Sequence, residues 1–86
     1  MPEVSRFYGI VVQIYYGDHA PPHFHVTYGS YKALFSIETL ALLGGSIPPR
    51  AMGLVIEWAT IHQLELKEAF RRAAAMEEPQ RIAPLL

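Results

Sequence analysis

Three of the chain's four histidines fall within seven residues, in the run Asp18-His19-Ala20-Pro21-Pro22-His23-Phe24-His25-Val26. Imidazole titrates near neutral pH without help from its surroundings and is the commonest metal ligand. Two chemistries fit this run. In the first, His19, His23 and His25 bind zinc or another divalent transition metal, with Asp18 as a fourth or supporting ligand. In the second, His23 and His25 are catalytic in an acid–base sense, one taking a proton while the other gives one, as metal-free phosphodiester cleavage requires. Tyr15, Thr27 and Lys32 would then position the phosphate. A plainer reading makes these exposed strand histidines that set a turn or line an interface. The run lacks the fixed Cys/His spacing of the stronger metal motifs, so the residues alone leave the three readings open.

Two arginines stand where loops meet elements: Arg6 before the first strand and Arg50 after Pro48-Pro49. A guanidinium there suits a carboxylate or phosphate, and with Tyr15 and Lys32 these are the candidate binding residues. Further on, His62 and Glu65 are three apart, close enough on a helix to pair with each other. A structural role is the simpler expectation for that pair, at a site separate from the histidine run.

The elements that must carry these residues follow from periodicity. Phe7 to Tyr16 is rich in β-branched and aromatic residues and closes on Gly17-Asp18, which is turn chemistry. His23 to Tyr28 alternates as a half-buried strand does, putting His23, His25 and Thr27 on one face and Phe24, Val26 and Tyr28 on the other. Gly29-Ser30 is a two-residue hairpin signal leading to a strand over Tyr31 to Ile37. A short fourth strand is expected at Leu40 to Leu43, ended by Gly44-Gly45. After Pro48-Pro49 the period changes to 3.6, and one helix is expected from Arg50 to about Met76. Its stripe would hold Ala51, Leu54, Val55, Trp58, Ile61, His62, Glu65, Ala69, Ala73 and Met76. Such a helix is roughly 40 Å long, more than a small sheet can cover, so it must overhang, break or meet a partner. The reading is an α+β fold, an antiparallel three- or four-stranded meander packed on one long C-terminal helix.

Composition bounds the function. Eighty-six residues, 51% of them hydrophobic and 17% charged, make one domain over 1–86 with an apolar tail at 80–86. Seven basic against eight acidic residues leave a net charge of −1, which does not favour nucleic acid as a partner. No apolar stretch reaches the ~20 residues that span a bilayer. The start lacks the regions of a secretory signal, and with no cysteine there is no disulfide framework. A cytoplasmic protein is the expectation. One helix covers one side of a sheet, so the other side, with Val11, Tyr15, His23, His25 and Leu34, awaits a homo-oligomer contact, a small partner protein or the folded-back tail Ile82 to Leu86.

Several stretches carry a family resemblance: Met1 to Ile10, Asp18-His19 with Pro21-Pro22-His23-Phe24-His25-Val26, Tyr31-Lys32-Ala33, Pro48-Pro49-Arg50-Ala51, and Glu57-Trp58-Ala59 followed by His62. Together they resemble a family of small bacterial proteins known as domain of unknown function 4160. Ala20, Ala41 and Gly45 depart from its usual polar or charged residues. The resemblance supplies no biochemical activity and no site residues. It implies a bacterial cytoplasmic protein encoded beside a second small protein, an arrangement like a toxin–antitoxin pair. The leading expectation is therefore a protein-interaction component of such a pair. The alternatives are a metal-independent ribonuclease using a strand histidine and a histidine-rich metal-binding domain.

Overall fold

A computed structural model describes residues 2–86. Five strands form one antiparallel sheet in the order of the chain: β1 Glu3–Phe7, β2 Ile10–Gln13, β3 His23–Tyr28, β4 Tyr31–Ser36 and β5 Leu42–Ser46. Two helices follow, α1 Pro49–Ile61 and α2 Gln63–Ala74. The fold is α+β, and three of the sequence-based boundaries change.

The first strand ends early because Tyr8 and Gly9 both adopt left-handed backbone, with φ of 49° and 80°. Two such residues make a hairpin turn whose twist matches that of the flanking strands. Phe7 therefore pairs with Ile10 and ends β1 rather than opening the expected strand, and the rest of β1, Glu3 to Arg6, lies outside that expectation. The last strand is displaced in the other direction, with Gly44 and Gly45 inside β5 rather than ending it. Gly45 has φ of 73°, and a Cβ there would collide with the Lys32 carbonyl oxygen across the ladder. Here glycine permits close backbone approach, which is its other use in a strand.

The single long helix is broken at His62, with φ −111° and ψ 25°. The break resolves a problem of length: the Cα envelope is 33 Å in its longest dimension, shorter than the roughly 40 Å of an unbroken helix. The His62 N–H still donates to the Trp58 carbonyl, and its own carbonyl accepts from Leu66, so little hydrogen bonding is lost. Gln63 Nε2 donates to the carbonyls of Ile37 at 2.7 Å and Glu38 at 3.0 Å, which anchors the junction to the end of β4. Beyond the break the buried face moves about one residue round the helix. Leu66, Ala69, Phe70 and Ala73 are buried, whereas Ile61, Glu65 and Met76, expected on the stripe, are exposed.

The core lies between the helices and one sheet face. Ile10, Val12, Ile14, Phe24, Val26 and Phe35 are almost fully buried there, together with Trp58. The Trp58 ring meets Phe7 at 5.3 Å and Phe24 at 6.1 Å between centroids, and its indole N–H donates to the Ala83 carbonyl at 2.8 Å. That bond draws the tail to the helix side of the sheet. Ile82 is buried, and its N–H donates to the Val4 carbonyl of the edge strand β1 at 2.7 Å. The tail thus covers the β1 edge and not the opposite sheet face.

Candidate metal centre

The loop between β2 and β3 turns back over the start of β3. It is held by a hydrogen bond from the Gly17 N–H to the Ala73 carbonyl, at 2.9 Å, near the end of α2. Asp18 is thereby brought over His23 and His25, which share a strand face by simple alternation. One carboxylate oxygen, Asp18 Oδ2, lies 2.8 Å from His23 Nε2 and 3.3 Å from His25 Nε2. The three ligand atoms lie within 4.8 Å of one another.

The far side of His23 decides its chemistry. Its Nδ1 is 2.7 Å from the Pro21 carbonyl oxygen. A carbonyl only accepts, so Nδ1 carries a hydrogen and donates it. In the neutral ring Nε2 is then a lone pair turned toward the carboxylate, and the contact is favourable only with a proton or a cation between the two. A ring nitrogen fixed in this way by a backbone acceptor is the usual support of a metal-ligating histidine. Ligands about 2.1 Å from a tetrahedral ion are roughly 3.4 Å apart, so the Asp18–His25 spacing fits and the Asp18–His23 spacing need widen only slightly. Burial raises the pKa of the Asp18 carboxyl, but hydrogen bonding from His25 and His23, with their charge, more than offsets this and leaves it below its ordinary value.

Aromatic rings fix the imidazoles. Tyr15 stacks on His25 with centroids 3.9 Å apart and planes 5° from parallel. Phe70 packs against His23 at 5.5 Å. The side chains of His23, Asp18 and His25 are 12%, 27% and 28% exposed, so the centre is supported from below and open to solvent above.

Of the expected ligands, His19 is exposed and stands outside this group. Tyr15 belongs to the centre. Arg6 does not, since it is exposed and paired with Glu3 at 2.7 Å. Lys32 lies opposite Thr27 on the neighbouring strand and is exposed. Arg50 is at the other end of the sheet, beside Tyr28. His62 pairs with Glu65 at 2.5 Å and packs on Trp58 at 5.7 Å, apart from the centre as expected. Two supporting groups escape the sequence reading. The Pro21 carbonyl has no side-chain signature, and Phe70 becomes visible only when the helix is placed one residue round.

A five-stranded meander backed by a broken helix, with a carboxylate and two imidazoles converging at one sheet end, defines the class of protein. Residues 9–71 match the family described as Domain of unknown function (DUF4160), and the chain belongs to that family. No curated protein and no solved structure matches it.

Proposed function

We propose that this chain is a metal-binding domain, with Asp18, His23 and His25 as ligands for a divalent first-row ion. One observation carries the reading: His23 Nδ1 is committed to a carbonyl while Nε2 meets a carboxylate oxygen that His25 Nε2 also approaches. Three protein ligands leave at least one coordination position open, as in sites that bind water or a substrate. The same geometry weighs against His23 as a free acid–base group, because neither of its ring nitrogens faces solvent without a partner.

Calorimetric titration with zinc, nickel and manganese near neutral pH tests the proposal. One ion should bind per chain. Asp18→Asn, His23→Ala and His25→Ala should each weaken binding by about tenfold or more, and His19→Ala should leave it unchanged. No uptake of any of the three metals, or uptake that survives loss of both His23 and His25, overturns the reading. RNA cleavage that persists in chelator and vanishes in His25→Ala would favour the acid–base alternative instead.

A second reading, that the chain is an interaction component of a small bacterial pair, is supported by the uncovered sheet face. Val11, Tyr15 and Leu34 remain half-exposed there with the tail packed elsewhere. The metal centre lies on that same face, so a partner seated on it would also close the open coordination position.

A further inference from the structure

The end of the sheet remote from the metal centre holds a cavity of about 530 Å³, lined by Tyr8, Tyr28, Arg50, Leu54, Glu57 and Leu85 among others. That size is within the range of small-molecule sites. Its polar lining is unusual in this chain. Arg6, Arg71, Arg72 and Arg81 each pair with a carboxylate, whereas Arg50 has no ionic partner among the described residues. Glu57 faces the same cavity and is not within ion-pair distance of it. Seven residues separate the two, or about 10 Å along one face of α1.

Tyr8 adds a second observation. It is 60% exposed at the tip of the β1–β2 hairpin, with φ of 49°. That turn position is usually taken by Asn, Asp or Gly, and a bulky residue in left-handed backbone is a strained choice. Such strain concentrates at functional sites. Here the strained residue is an aromatic side chain that lines the cavity together with Tyr28, whose ring lies beside the neighbouring Gly9.

We propose that this cavity binds a guanine nucleoside 5′-monophosphate. Arg50 clamps the phosphate as guanidinium groups do, and Tyr8 and Tyr28 offer their rings to the base. Glu57, an acceptor only when ionised, takes the two side-by-side N–H donors at guanine N1 and N2. Adenine and cytosine present a lone pair next to their donor on that edge, which a carboxylate repels. Arg50 and Glu57 stand about two turns apart on one face of α1, so a ligand with its anion at one end and its donors at the other can meet both.

The test is calorimetry and backbone NMR titration of the full chain with GMP, in chelator, so that phosphate cannot bind through a metal at Asp18, His23 and His25. One GMP should bind per chain, shifting the amides of Gly9, Tyr28 and Ala51 and leaving those of Asp18 and His25 in place. Arg50→Gln should weaken binding by about tenfold or more, as loss of a charged hydrogen bond does. Glu57→Gln should abolish the preference for GMP over AMP. Tyr8→Asn, a residue the turn accepts more readily, should melt no lower than the parent and yet bind at least about fivefold more weakly, the low end for a lost base stack. Absence of GMP binding overturns the proposal. So do equal affinities for GMP and AMP, affinity unchanged in Arg50→Gln, or shifts centred on His25.

Discussion

His23 and Trp58 show how much one side chain depends on a backbone group that no sequence pattern marks. The Pro21 carbonyl takes the Nδ1 hydrogen of His23 and so turns Nε2 into a presented lone pair. The Ala83 carbonyl takes the indole hydrogen of Trp58 and so fastens the tail. Trp58 is completely buried. Trp58→Ala should therefore cost about 3–5 kcal/mol, as other large-to-small core changes do, which is a large share of what so small a domain has to lose. Trp58→Phe keeps most of the apolar volume and leaves the Ala83 carbonyl without its donor, for about 1–2 kcal/mol. Urea denaturation followed by circular dichroism measures both, and an unchanged midpoint in the alanine variant would remove Trp58 from the core.

At the scale of elements, the sheet has two unlike edges. β1 is covered by the tail through the bond between Ile82 and Val4, and by Arg81, which donates to the Glu3 carbonyl and to its carboxylate at 3.1 Å. β5 is uncovered and carries the exposed Leu42 and Leu43. Hydrogen bonds from Arg6 and then Arg81 hold the Glu3 carboxyl down to about 2, from an ordinary value of 4.5. A carboxyl whose folded value is the lower one contributes stability that is complete above its unfolded value and is lost as pH falls through the folded one. The tail contact should therefore loosen between pH 4.5 and about 2, with the Arg81 and Ile82 resonances moving toward those of an unstructured chain. Glu3→Gln should reproduce the effect at neutral pH, with faster hydrogen exchange at the Ile82 amide and little change in melting, since exposed ion pairs contribute little. Unaltered exchange at Ile82 would mean that the backbone bond alone holds the tail.

The whole molecule places two candidate sites at opposite ends of β3. His23 begins the strand at the candidate metal centre, and Tyr28 ends it at the cavity, roughly 17 Å away. The two sites lie on opposite faces of the sheet: the cavity is on the helix side, where α1 supplies Arg50, Leu54 and Glu57, and the histidines are on the other face, with the half-exposed Val11 and Leu34. Among the described residues no helix is long and apolar enough to cross a membrane. If the face joins two copies, the protein should sediment above its monomer mass at high concentration, and Leu34→Glu should return a folded monomer. A wild-type chain that stays monomeric excludes a self-interface. Deleting 80–86 addresses a different surface: it should lower the melting temperature, because Ile82 is buried and Trp58 loses its acceptor.

Local patterns in the sequence determined what short-range rules can determine. Alternation set the strands His23–Tyr28 and Tyr31–Ser36 and put both histidines on one face, because successive side chains in a strand must point to opposite sides. The change to a helical period after Pro48-Pro49 marked the start of α1 within a residue. The Asp18-to-His25 run contains the three residues that converge in the candidate centre. Tertiary structure decided the rest. Whether His19 or only Asp18 would turn back over His23 depended on where α2 placed the Ala73 carbonyl for Gly17. The break at His62 carries no proline or glycine to announce it; it answers the limited length of the sheet and the bonds Gln63 makes to β4. The tail was legible as apolar, but its place on the β1 edge came from a free indole N–H and an unpaired strand carbonyl. Those groups acquire partners only when distant parts of the chain meet, and nothing nearby in sequence encodes them.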